Sequence, residues 1–144
     1  EITFCGVRVA IAPGVYVPRA QTEPLAVRAA SLLPDGGVAL DLCTGSGAIA
    51  VVLAGAVPTA TVLATEIDPV AVRCARSNGV EVFEGSLDEP LPPAVERRVD
   101  VMTAVVPYVP TAAIRLLQRL IAACDFWNAC AFSSGVLAFL TSSA

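Results

Sequence analysis

The chain has 144 residues, 56% of them apolar and 15% charged, with nine basic against thirteen acidic side chains and a net charge of −4. This length suits one compact domain, and a chain so apolar can bury enough surface to offset the entropy of ordering, which excludes intrinsic disorder. The acidic balance argues against an electrostatic grip on nucleic acid, and the absence of histidine removes His-based triads, HExxH zinc sites and histidine proton shuttles.

Residues 2–17 alternate loosely between apolar and polar and are broken by Pro13-Gly14, which predicts a short hairpin. Leu25, Ala26, Ala29, Leu32 and Leu33 fall at helical spacing from Thr22 to Leu33, with Thr22 as the cap and Pro24 tolerated in the first turn. Pro34-Asp35-Gly36-Gly37 ends that helix. Val38–Leu42 reads as a buried strand, followed at once by Thr44-Gly45-Ser46-Gly47 and a small-residue helix over Ala48–Ala56. A second strand runs from Thr61 to Thr65 and ends at Glu66. Asp68-Pro69 opens a helix to about Ser77, and Asn78-Gly79 stops it. Val80–Phe83 is a third strand, the Pro-rich stretch at 90–93 a loop, and Val99–Val106 a fourth strand ended by Pro107. Ala112–Ala123 reads as helical and Val136–Leu140 as a fifth strand. Strands alternating with helices at this spacing predict an α/β fold, a doubly wound, mainly parallel sheet preceded by an N-terminal β-hairpin.

The domain is expected to divide into a hairpin and lead-in (1–21), a binding core (22–117) and a divergent helix with the fifth strand (118–144). Polar residues interrupt the apolar stretch 120–140, so no membrane span is expected. Five cysteines without a CxxC pair suggest neither zinc nor a disulfide framework; they read as small buried side chains of a reducing compartment, which points to the cytoplasm. The chain begins at Glu1, its only methionine is Met102, and it reads as a piece of a longer frame.

A strand, then Asp41-x-x-x-Gly45-x-Gly47, then a helix, lets backbone approach a ligand at the C-terminal ends of a parallel sheet. Glu66 ends the next strand, where an acid can accept hydrogen bonds from both hydroxyls of a ribose. Gly45-x-Gly47-x-x-Ala50 also fits the looser dinucleotide fingerprint. Asp41 discriminates between the two: its carboxylate repels a pyrophosphate and attracts the ammonium of an amino-acid-bearing sulfonium. S-adenosylmethionine is therefore favoured over NAD.

Val17-Pro18-Arg19-x-x-Thr22-Glu23, Asp41-Leu42-Cys43-Thr44-Gly45-Ser46-Gly47-Ala48, Thr65-Glu66-Ile67-Asp68-Pro69 and Pro107-Tyr108-Val109-Pro110 occur in this order. Over about residues 4–114 the chain resembles the peptide chain release factor N(5)-glutamine methyltransferases. The resemblance implies a Rossmann-like class I methyltransferase fold and S-adenosylmethionine as cofactor. Its methionine part would be wrapped by Cys43, Thr44, Gly45, Ser46 and Gly47 beside Asp41, its ribose held by Glu66 with Ile67 alongside, and its adenine met by Ser86 and Leu87. The implied protein substrate is the glutamine of a release factor Gly-Gly-Gln loop, with no direct nucleic-acid partner.

An amide nitrogen is a poor nucleophile, because its lone pair is delocalised into the carbonyl. A site that methylates one must fix the NH2 with hydrogen-bond acceptors and an aromatic face. The family does this with an Asn-Pro-Pro-Tyr type of motif, which here reads Val105-Val106-Pro107-Tyr108. The Val106 carbonyl and the Tyr108 ring are retained, whereas Val105 has no side-chain acceptor, so activity is expected to be weak or lost. After Leu117 the chain departs from the family pattern, as if by an internal loss followed by truncation. An incomplete sheet would leave an unpaired edge and invite self-association. A non-catalytic remnant that still binds the cofactor, an N6-adenine nucleic-acid methyltransferase and an NAD-dependent oxidoreductase are the alternatives.

Overall fold

The computed structural model describes residues 1–95, 98–105, 130–133 and 136–139, the last two ranges as backbone. Its centre is a four-stranded sheet built from β3 (Val38–Leu42), β4 (Thr61–Glu66), β5 (Glu81–Glu84) and β6 (Val101–Ala104), in the order β5-β4-β3-β6. All three pairings are parallel. The chain therefore starts in the middle of the sheet, winds outward to β5, then crosses back to β6. That reversal places the ends of β3, β4 and β6 side by side at the point where such sheets take ligands.

Among the described residues, three helices follow from local patterning. A 3-10 turn at Ala20–Thr22 leads into α1 (Glu23–Leu32), with Pro24 in its first turn. α2 (Ala48–Ala56) is apolar all round, and five of its residues are buried. α3 (Pro69–Ser77) is amphipathic, with Ala71, Val72, Cys74 and Ala75 turned inward. Asp68 caps α3, its Oδ1 accepting from the Val70 N–H at 2.8 Å, an interaction that typically stabilises a helix by about 1 kcal/mol.

Side-chain alternation splits the core across the sheet. Ala39 and Val101 join α1, α2 and the hairpin residues Phe4 and Val9 on one side. Leu40, Leu42, Leu63, Met102 and Ala104 face the other, where Leu91 completes the cluster. At the outer edge of β5 the Arg76 guanidinium donates to the Val82 carbonyl at 2.8 Å, occupying a group to which a foreign strand could pair.

Several boundaries differ from the sequence expectation. The hairpin is tighter: β1 (Ile2–Phe4) and β2 (Val7–Val9) are joined through Cys5 and Gly6, both with positive φ, while Pro13-Gly14 forms a separate turn closed by Val15 N–H to Ala12 O at 3.1 Å. Thr22 sits at the α1 N-cap position without capping through its side chain, because the preceding 3-10 turn holds its backbone in the helical region (φ −89°, ψ −15°) and not in the extended one a capping residue adopts. The third strand is Glu81–Glu84 and the fourth only Val101–Ala104. Val136–Phe139 (β8) is a strand, but it pairs antiparallel with β7 (Cys130–Ser133), which the sequence reading missed. The expected helix at 112–123 lies outside the described residues. Among the described residues no helix is long and apolar enough to cross a membrane.

Gly47 joins the loop after β3 to α2 and fixes its distance from α3 and β5. Its φ is +83°, and an added Cβ would meet Val80 Cγ2 at 2.8 Å and Ala75 Cβ at 3.1 Å. Backbone strain and overpacking each cost about 1–3 kcal/mol. Gly47→Ala is expected to lower the unfolding free energy by about 2–4 kcal/mol, measured as a fall in the urea midpoint at unchanged slope.

Candidate cofactor site at the strand ends

The loop over residues 43–47 is tied to the end of β4 by two bonds. Thr44 N–H donates to the Thr65 carbonyl at 3.1 Å, and Gly45 N–H donates to Glu66 Oε2 at 2.8 Å. Glu66 Oε1 accepts from the N–H groups of Ile67 at 2.9 Å and Asp68 at 3.0 Å. The carbonyl of Glu66 in turn accepts from Gly85 N–H at 2.9 Å. Three loops, after β3, β4 and β5, thus converge on one residue. A carboxylate offers about four acceptor positions. Three of those of Glu66 are filled by backbone N–H groups.

Asp41 is buried more deeply. It is 1% exposed, with Oδ2 accepting from the Thr44 hydroxyl and Oδ1 from the Thr103 hydroxyl, each at 2.6 Å. Thr103 is its register partner across β6. The Ala50 N–H in the first turn of α2 also favours the charged carboxylate, which offsets the lack of a side-chain cap at Gly47. Burial dominates nonetheless: it pushes the Asp41 carboxyl up to about 6, against the lowering effect of both threonines, and the nearby negative Glu66 adds to the rise. The two acids therefore sense one another across the same loop. Thr103 was not singled out in the sequence; a single hydroxyl within an apolar strand carried no signal until the register was known.

The remaining candidates gather around this frame. Cys43 and Leu87 both adopt positive φ, at 54° and 47°, conformations that cost a side-chain-bearing residue on the order of 1 kcal/mol. The Cys43 thiol is pushed up to about 11 by burial, with Glu66 and Asp41 contributing, so it lines the loop as a neutral group. Gly45 faces open space, with nothing within 4 Å of where a Cβ would lie. Ile67, beside Glu66, is 67% exposed. Ser86 and Leu87 follow Gly85 in a turn closed by Glu89 N–H to Ser86 O at 3.0 Å. The Ser46 and Thr65 hydroxyls are buried and have no partner among the described residues. Val105 packs its side chain against the core shared by α1 and α2. Val106, Pro107 and Tyr108 lie outside the described residues.

No family model matches the chain. It is 39% identical over 121 residues to a release factor glutamine methyltransferase of Geobacter sulfurreducens, an alignment covering 80% of this chain and 42% of that protein. It is also 36% identical over 131 residues to a 4-amino-L-phenylalanine/4-methylamino-L-phenylalanine methyltransferase of Streptomyces pristinaespiralis, covering 81% of this chain and 44% of that one. The chain is a relative of the release factor glutamine methyltransferases. It spans about two fifths of the length of the curated relatives it matches. Among solved structures it superposes on a ribosomal protein L11 methylase of Lactobacillus delbrueckii subsp. bulgaricus with a TM-score of 0.61 at 16% identity, over 93% of this chain and 84% of that one. It also superposes on a putative protein-L-isoaspartate O-methyltransferase of Plasmodium falciparum, in complex with S-adenosyl-L-homocysteine, with a TM-score of 0.55 at 16% identity, over 75% and 60% of the two chains. The fold is that of a class I methyltransferase.

The raised Asp41 pKa makes a stability prediction. The folded chain holds this proton more tightly than the unfolded chain, whose carboxyl titrates near the ordinary 3.8. Its contribution is complete below about pH 4 and is lost as pH rises through about 6. Relative to Asp41→Asn, the protein is expected to lose about 2–3 kcal/mol between those limits, read from urea unfolding of both across that range.

Proposed function

We propose that this chain binds S-adenosylmethionine through the 43–47 loop, Glu66 with Ile67, and Ser86 with Leu87, and that it serves methyl transfer to the side-chain amide of a protein glutamine. The observation that carries this reading is the convergence of Glu66 and Asp41 on one glycine loop at the strand ends. An open backbone surface at Gly45 and an exposed apolar face at Ile67 give that loop the polar and apolar contacts a nucleoside with an amino-acid arm requires. The cofactor supplies a methyl group made electrophilic by its sulfonium. The chain's own residues bind and orient. Glu66 accepts from a ribose hydroxyl, and ionised Asp41, set back behind Thr44, favours positive charge at the loop. Cys43 through Gly47 present backbone groups.

Names among the relatives support a release factor as the protein substrate, with its Gly-Gly-Gln glutamine as the acceptor. The activity of this chain is proposed to be weak, because Val105 offers no acceptor to an amide NH2 and rests on an apolar core. The 4-amino-L-phenylalanine relative favours a second reading, an aryl amine acceptor. Such a nitrogen keeps more of its lone pair than an amide and depends less on an acceptor at position 105.

Calorimetry with S-adenosylhomocysteine and with NAD tests the cofactor. Binding of the first and not the second is expected, weakened tenfold or more by Glu66→Gln; NAD binding alone would overturn the reading. Because Asp41 must be ionised to favour a cation, S-adenosylmethionine affinity is expected to rise as pH passes about 6, and Asp41→Asn should flatten that rise.

For the acceptor, Val105→Asn is expected to raise methylation of a Gly-Gly-Gln peptide by about 10²-fold or more, the usual scale of one hydrogen bond at a reacting centre. Product from 4-amino-L-phenylalanine but not from the peptide would select the second reading.

A further inference from the structure

Asn78 ends α3 as its C-cap residue, and Asn-Gly at that place reads in sequence as a helix stop and nothing more. The structure gives its side chain more to do. The carboxamide pairs with Ala10 as one peptide pairs with another across a ladder: Oδ1 accepts from Ala10 N–H at 2.9 Å, and Nδ2 donates to the Ala10 carbonyl at 2.9 Å. The same Nδ2 donates, also at 2.9 Å, to the carbonyl of Ser46 in the glycine loop. One turn back, the Cys74 thiol donates to the Ala10 carbonyl at 3.4 Å and accepts from Ala12 N–H at 3.3 Å. Val15 is buried against Ala71 and Cys74, with Ile11 and Ala12 packed alongside.

Residues 10–15 therefore form a strap laid across α3. It has no strand or helix of its own, so its order derives from these contacts. The glycine loop is held by Thr44 and Gly45 to the end of β4, by the Thr44 hydroxyl to Asp41, by Gly47 N–H to Thr44 O, and by Ser46 O to Asn78. Asn78 touches both segments with one rigid planar group. Removing that group takes the donor from the Ser46 carbonyl and the acceptor from the Ala10 N–H, leaves the Ala10 carbonyl only the Cys74 thiol among the described residues, and frees the two segments from a fixed distance.

We propose that Asn78 is a positioning residue that couples seating of the 10–15 strap on α3 to the shape of the 43–47 loop, so that ligand binding at the loop and docking of the strap reinforce each other. Coupling of this kind is reciprocal. A ligand that fixes the loop slows opening of the strap, and a loosened strap weakens the ligand. The ligand half rests on the cofactor reading above; the coupling itself does not.

Amide hydrogen exchange on the ligand-free protein tests the coupling. Val15→Ala removes buried methyl groups from the strap without touching Asn78 or the loop. It is expected to speed exchange at the Gly45 and Gly47 amides at least threefold, and to have no such effect in an Asn78→Ala background. Loop exchange that ignores Val15→Ala, or responds equally in both backgrounds, would overturn the proposal. Asn78→Asp keeps the acceptor for Ala10 N–H but replaces the donor to the Ser46 and Ala10 carbonyls with an acceptor oxygen. Its affinity for S-adenosylhomocysteine is expected to fall fivefold or more while the circular dichroism of the folded chain is retained; parental affinity would overturn the ligand half. A parent chain that binds no S-adenosylhomocysteine would overturn the cofactor reading, while the exchange experiment would still decide the coupling.

Discussion

A carboxylate that is mostly buried must be supplied with donors, and among the described residues those of Glu66 come from backbone. Gly45, Ile67 and Asp68 give it three N–H groups from two loops. The consequence is geometric. Neither loop has a regular ladder at that point, yet both are drawn to one pair of oxygens at the end of β4. The glycine loop can take its path because Gly47 accepts a left-handed backbone and leaves room for Val80 and Ala75. Charge sets the convergence, and the missing side chain permits it.

Asp41 works under the opposite balance. It lies under the loop, its donors are two hydroxyls and a helix-end amide, and desolvation outweighs them all. The two acids thus divide the work. Glu66 organises backbone, whereas Asp41 anchors β3 to β6 through Thr103. A shared loop also means that neither carboxylate can be changed without altering the other's surroundings.

Much of this was legible before any coordinates. The strand from Val38 to Leu42 and the helix from Ala48 to Ala56 have the bounds that their apolar runs and flanking glycines suggest. Asp68 caps α3 as its position before Pro69 implies. What stayed hidden depended on register and on the third dimension. Cysteine is an unusual residue for a positive φ, so the turn at Cys5-Gly6 was outcompeted by the stronger Pro13-Gly14 signal. Thr103 gains its meaning only because β3 and β6 pair 41 with 103. Glu66 ends its strand as the sequence suggests, but which donors would fill it could not be read from spacing. Asn78 looked like punctuation, since its partners lie 68 and 32 residues away.

The chemistry of Cys43 has a consequence of its own. A sulfonium that can methylate an amide can methylate a thiolate far more readily, and a sulfur anion at the lip of such a site would consume the donor and block the loop with a thioether. Holding the Cys43 thiol near 11 leaves roughly one molecule in ten thousand as thiolate at neutral pH. The burial and flanking negative charge around the loop thereby keep the Cys43 sulfur a poor nucleophile.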